Sequence, residues 1–202
     1  MNDSELIEAT IKYVKKTLKG AEAGHDWYHV QRVFKNTLLL AKDEPVNLLV
    51  VSLAALLHDI ADSKFHGGDE TIGPKKANDF LASLKVDKKV RTHVVKIIEH
   101  VSFKNSLDKN KKTFSSKELS LVQDADRLDA MGAIGIARAF TYGGHKNRLL
   151  YDPDIPPKPD LSKKAYKNSK APTINHFYEK LLSLKDQMNT KTAQKIAEKR
   201  HQ

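Results

Sequence analysis

Residues Val46–Leu57 read VNLLVVSLAALL and are followed at once by His58-Asp59-Ile60-Ala61-Asp62. The run holds no charged residue, and a helix that is apolar all round is a buried helix. It predicts a central helix, with Pro45 in the favourable first-turn position. An imidazole and a carboxylate at the inner end of such a helix are costly unless something compensates them. Asp59 is therefore either an acid satisfied by protein donors or one half of a metal site.

Outward from this helix the pattern is helical nearly throughout. Leu6, Ile7, Ile11, Val14 and Leu18 share one face of a first helix that Gly20 can end. Gly24-His25-Asp26 opens a second, through WYHVQRVFKNTLLLAK, with Asp26 as its cap. Thr71–Leu84 and Asp87–His100 read as two more. Ser115 and Glu118 have capping-box spacing at the start of SSKELSLVQDADRLDAMGAIGIARAF, which reads as one long helix. Thr173–Leu184 and Lys191–His201 close the chain as helices. Ahead of them, YDPDIPPKPDLSKKAYKNSKAP carries five prolines and many lysines, and 143–172 is expected to be a flexible loop or flap. With no repeats and no convincing strands, the expectation is an all-α, irregular helical bundle forming one domain over 1–202.

Composition narrows the function classes. There is no cysteine among the 202 residues, which excludes disulfides, thiolate zinc sites and cysteine nucleophiles. The opening MNDSELIEATIKYVKK reads as an amphipathic helix, unlike a signal peptide, and no stretch approaches the ~20 apolar residues of a membrane span. A cytoplasmic protein without a membrane partner is expected. The net charge is +10, which raises encounter rates with anions such as phosphorylated metabolites and nucleotides. The lysines are scattered and not interleaved with aromatics, so nucleic acid is disfavoured as a partner.

Polar residues also stand where apolar ones belong. From Lys117 onward, Leu119, Leu121, Val122, Ala125 and Leu128 occupy one half of the helix, and Asp126 and Asp129 fall inside that half. Asp124 lies at its margin, and Arg127 points the other way. His29 sits among Trp27, Val30, Val33, Phe34 and Leu38. A lone histidine there is ordinarily a core residue bonded to a carbonyl. Three buried helices each delivering an acid or an imidazole change that balance. His29, His58, Asp59 and Asp126 make a mixed nitrogen and oxygen set suited to one divalent ion: Mn²⁺, Fe²⁺, Co²⁺, Ni²⁺, Zn²⁺ or Mg²⁺. Such an ion acidifies water and polarises a phosphoryl oxygen.

His-Asp alone is a very weak motif. The ordered set His29-x-x-Arg32-Val33, Leu56-Leu57-His58-Asp59-Ile60 and Asp124-Ala125-Asp126-Arg127-Leu128-Asp129, in an all-helical chain, resembles the HD-domain metal-dependent phosphohydrolases. FTYGG, SFKN and TINHFYEKL are similar to the small bacterial HD hydrolase subgroup. The resemblance covers nearly the whole chain and implies an all-α HD-type fold with His29, His58, Asp59 and Asp126 as ligands. His25-Asp26 is a second His-Asp dipeptide, read as a decoy because the family's first ligand precedes x-x-Arg-Val. His25 is left in a supporting position.

Related HD hydrolases often carry a glutamate one turn after the His-Asp pair that positions or deprotonates the attacking water. Asp62 stands there, one methylene shorter, and is the candidate catalytic residue with Asp59; otherwise it is a helix-end carboxylate paired with Lys64. Asp129 is expected to support a ligand or to meet Arg127. Arg32, Lys64, Lys104, Arg127 and Arg148 are the candidate phosphate-binding cations, and His66, His145 and His176 could touch substrate. One ion is favoured over two, because His93 and His100 on one helix stand ~10 Å apart. The reading is hydrolysis of a small phosphorylated substrate, a nucleotide, with nucleoside triphosphate pyrophosphohydrolysis favoured. The alternatives are a phosphomonoesterase or phosphodiesterase (nucleotidase, alarmone or cyclic-nucleotide hydrolase) and a non-catalytic, metal-stabilised nucleotide or nucleic-acid binding module.

Overall fold

The apolar run forms α3, Leu48–Leu57, and Val50–Leu57 are buried on every side. Each buried leucine contributes roughly 2 kcal/mol of transfer free energy. The computed structural model describes residues 1–22, 24–61, 67–102, 114–158, 162, 165 and 169–202. Around α3 pack α1 (Asp3–Thr17), α2 (Trp27–Leu40), α5 (Lys88–His100) and α6 (Lys117–Asp129). Further helices among the described residues are α4 (Ile72–Ser83), α7 (Gly132–His145), α8 (Asn175–Glu179) and α9 (Lys191–His201). Short 3-10 segments lie at Ala41–Asp43 and Leu181–Gln187. No strand occurs among the described residues, and the buried apolar side chains form one core cluster. The fold is all-α. No helix among them is long and apolar enough to cross a membrane.

Caps fix where these helices start. Asp26 accepts from the His29 N–H, and Asp87 accepts from the Lys89 and Val90 N–H groups. Two starts differ from expectation. α3 begins after Asn47, whose side chain accepts from the Val50 N–H, so Pro45 lies ahead of the helix. α6 is capped by Ser116, not Ser115; its Oγ accepts from the Leu119 N–H. Glu118 is spent elsewhere, accepting from the Asn47 N–H and lying 3.6 Å from His93.

The expected long helix from Lys117 is two helices. α6 ends at Asp129, and Gly132 at φ +68°, a left-handed conformation, starts α7 in a new direction. A Cβ on Gly135 would stand 2.2 Å from the Ala130 carbonyl oxygen, so only glycine lets α7 fold back this closely on the end of α6. The C-terminal Thr173–Leu184 stretch divides into α8 and the 3-10 segment. In the expected flap, the described residues carry specific ties: Thr173 and Ile174 N–H donate to the Leu149 and Leu150 carbonyls at 2.8 and 3.0 Å. Asn175 Nδ2 donates to the Ile155 carbonyl.

Candidate metal centre

α3 ends at Leu57, so His58 and Asp59 lie on the turn that leaves it and can face one point. That point is shared with α2 and α6, which bring His29 and Asp126. His29 Nε2 is 3.3 Å from His58 Nε2, 3.4 Å from Asp59 Oδ2 and 3.6 Å from Asp126 Oδ1. His58 Nε2 is 3.6 Å from Asp59 Oδ2 and 3.9 Å from Asp126 Oδ1. Among the described residues, His29, His58 and Asp126 form a group whose ligand atoms all lie within 4.8 Å of one another. Both histidines are buried, while the side chains of Asp59 and Asp126 keep 19 % and 34 % of their exposure, so the centre opens on the carboxylate side.

The far nitrogens of the two rings determine what the near ones can do. His58 Nδ1 is 2.8 Å from the Ala55 carbonyl oxygen, which only accepts, so Nδ1 carries the proton. His29 Nδ1 is 2.7 Å from Asp129 Oδ2. Asp129 also receives Arg32 Nε at 2.7 Å and Nη2 at 3.0 Å, with Arg138 Nη1 at 3.4 Å. Burial, the largest influence on Asp129, pushes its carboxyl up, but His29 and Arg32 outweigh it and hold it below the ordinary value. It is an ionised acceptor, and His29 Nδ1 donates to it. With neutral rings, both Nε2 atoms then present lone pairs toward each other and toward two carboxylates. Four acceptors converge without a donor among them, an arrangement that a cation satisfies and that matches the oxygen and nitrogen donors of divalent transition metals.

The protonation balance records the same strain. Burial acts most strongly on His29 and lowers it, yet hydrogen bonds that the protonated ring donates to Asp129 and Asp59 raise it above the ordinary imidazole value. Burial pushes Asp59 up, but His58 and His29 hold its carboxyl well below the usual range.

Other candidate residues have particular places. Arg32 is the bidentate partner of Asp129 and helps orient His29. Arg127 turns away to donate from Nη1 to the Gln187 carbonyl, with Asp124 Oδ1 at 4.0 Å; it is not the partner of Asp129. Arg148 donates from Nη2 to the Ser169 carbonyl at 2.7 Å. His25 Nδ1 lies 2.6 Å from Glu22 Oε2, and its ring stands edge-on to His29 with centroids 6.2 Å apart. His93 faces Ser116, and His100 Nδ1 lies 2.8 Å from the Lys96 carbonyl, so neither belongs to the centre. Asp62, Lys64, His66 and Lys104 lie outside the described residues.

Asp124 settles as a structural acid. It is fully buried and accepts from the Asn189 N–H and Nδ2 and the Thr190 N–H and Oγ1, all at 2.8–2.9 Å. Burial still raises its carboxyl above the ordinary value. Sequence reasoning missed Arg138, which donates from Nε to the Gly24 carbonyl at 2.8 Å while reaching Asp129. It clamps the turn ahead of α2 to the end of α6. Only the glycines at 132 and 135, which fold α7 back, hinted that a residue of α7 would reach this far.

The HD domain model matches residues 26–131, the span from the α2 cap to the end of α6 that contains all four candidate ligands. The Bacillus subtilis protein YpgQ is 37% identical over 201 residues, covering 100% of this chain and 89% of its own. A crystal structure of Bacillus subtilis YpgQ in complex with ADP matches with a TM-score of 0.72 at 35% identity, covering 100% of this chain and 90% of that one. An HD-superfamily hydrolase from Bacillus thuringiensis is 46% identical with a TM-score of 0.72, covering 99% and 91%. A Lactobacillus plantarum crystal structure reaches a TM-score of 0.89 at 38% identity, covering 100% and 92%.

Proposed function

The chain belongs to the HD-domain family of hydrolases, and from that premise we propose a metal-dependent phosphohydrolase that cleaves a nucleoside triphosphate to the monophosphate and pyrophosphate. The observation that carries the reading is the convergence of two imidazole lone pairs and two carboxylates on one point open to solvent. His29, His58, Asp59 and Asp126 would hold the ion, and one ion accounts for the group. A divalent ion bound there supplies the charge that acidifies water and polarises a phosphoryl oxygen.

The chain's own residues do the remaining work. Asp129 and the Ala55 carbonyl keep each imidazole in the tautomer that turns Nε2 inward. Asp62, four residues beyond His58 in sequence, is assigned to orient the attacking water and take its proton. The water oxygen bonds to the α-phosphorus, and the bond from that phosphorus to the bridging oxygen breaks, leaving with the β-phosphate. Lys64 and Lys104 are assigned to the phosphate oxygens. Arg32 and Arg127 serve by position, since carboxylates and a carbonyl already occupy them. The ADP complex of the Bacillus subtilis relative and the excess of 35 Lys+Arg over 25 Asp+Glu support a nucleotide substrate.

Incubating the manganese-loaded protein with nucleoside tri-, di- and monophosphates, and measuring pyrophosphate and orthophosphate separately, tests the reading. Pyrophosphate from triphosphates is expected. Orthophosphate alone would replace the reaction by phosphomonoester cleavage, and no turnover on the panel would overturn the reading.

A further inference from the structure

Beside the centre lies a cationic wall built from the end of α7. α7 stops at His145, and Asn147 takes φ +51°, reversing the chain. The Arg148 N–H then returns to the Gly143 carbonyl at 2.9 Å. This fold-back sets the Arg148 guanidinium 5.6 Å from the Tyr142 ring centroid, and its Nη2 is tied to the Ser169 carbonyl. Glycine at 143 also lets Thr173 pack directly on α7, since a Cβ there would stand 2.1 Å from Thr173 Oγ1. Lys146 Nζ lies 5.7 Å from the same Tyr142 centroid. Tyr142 is in edge contact with His25 at 5.8 Å, and His25 is 6.2 Å from His29. The wall therefore reaches the metal centre in two ring-to-ring steps.

The Arg148 charge differs from that of the other arginines near the centre. Arg32, Arg127 and Arg138 are each set against a carboxylate. Arg148 is half-buried and has no carboxylate partner among the described residues. One of its five N–H donors is spent on a neutral carbonyl. A guanidinium held by a ring face and a carbonyl is pre-organised, and its planar fork suits a phosphate.

We infer that Arg148, held over Tyr142 and separated from the metal centre by His25, is the subsite that receives the polyphosphate tail of an anionic substrate. The inference rests on the proposed phosphohydrolase reading for its location and on the unpaired guanidinium for its chemistry. It makes Arg148 a determinant of tail length. On that assignment a triphosphate would contact the centre and Arg148 together, whereas a single phosphate at the centre would leave Arg148 unused.

The test is calorimetric titration of the metal-loaded protein, with magnesium in excess, using inorganic tripolyphosphate and orthophosphate as probes. Replacing Arg148 by Gln is expected to weaken tripolyphosphate roughly tenfold, with orthophosphate and ion affinity unchanged. R148K should fall between, because it keeps the charge and loses the fork. Tyr142→Leu should weaken tripolyphosphate less than R148Q, by releasing the guanidinium without removing it. Unchanged tripolyphosphate affinity in both Arg148 variants overturns the inference, as does equal weakening of the two probes or no tripolyphosphate binding by the wild type. No turnover is needed here, so absence of nucleotide hydrolysis would sink the proposed function without deciding this measurement.

Discussion

Asp124 and Asp126 stand two residues apart on one helix, yet their surroundings are opposite. Asp124 is fully buried and meets four donors, all from Asn189 and Thr190, the residues that start α9. Asp126 is a third exposed and meets the lone-pair faces of His29 and His58. The first acid is satisfied by protein alone and serves as a strut. The second adds one more acceptor to a set that already lacks a donor, and only something from outside the chain completes it. Burial of a carboxylate does not mark a site; an unmatched set of acceptors does.

Substituting each acid by alanine should separate the two roles. Asp126→Ala is expected to abolish stoichiometric ion binding and to lower turnover about a thousandfold or more, while the chelated protein unfolds in urea much as the wild type does. Asp124→Ala should retain the ion but lose about 3 kcal/mol of unfolding free energy, because four donors lose their acceptor. Elemental analysis and urea titration of both variants check this, and normal ion content in the Asp126 variant would break the comparison.

Asp124's partners also show what the sequence could and could not reveal. Its marginal place on α6 was visible, but Asn189 and Thr190 lie 65 and 66 residues away. The apolar run of α3, the Asp26 cap and the 3-residue step from Asp126 to Asp129 are local features, so periodicity and spacing exposed them. Local spacing misled where a long-range contact competed: Glu118 gives up a capping box to bond Asn47 across the bundle. The break at Gly132 was hidden because GAIGIARAF has good helical periodicity, and only the close approach of α7 to Ala130 shows why glycine is required. Arg138 looked like any arginine on an amphipathic helix until that break directed it at Asp129.

Asp129 is an intermediate case, an ionised acid with ample donors whose role is to orient His29. Asp129→Asn should weaken ion affinity about 10- to 100-fold without abolishing it, since the amide no longer fixes the tautomer as firmly. Arg138→Gln should act in the same direction and more weakly, because Arg32 keeps its two bonds. Isothermal titration with Mn²⁺ measures both; an Arg138 effect on urea stability alone would make it a strut like Asp124.

A smaller effect comes from pH. In the ion-free protein His29 is raised above its ordinary value, burial being outweighed by Asp129 and Asp59. That contribution to stability is complete below the unfolded-state value near 6.5 and is lost as pH rises through the folded value. The ion must displace the same proton, so its affinity rises over this window and falls below it, about tenfold per pH unit while one proton is displaced. The melting temperature of loaded protein minus that of chelated protein should therefore widen as pH increases from about 6 to 8. A constant difference would contradict the role of His29 as a neutral ligand.

The central claim is that one ion is held by His29, His58, Asp59 and Asp126. Pulsed electron paramagnetic resonance of the Mn²⁺-loaded protein measures it most directly, through the nitrogen nuclei coupled to the metal. Two imidazole nitrogens are expected in the wild type and one in each of His29→Ala and His58→Ala at saturating manganese. An ion with no coupled nitrogen, or a two-nitrogen signal that survives both substitutions, would contradict it.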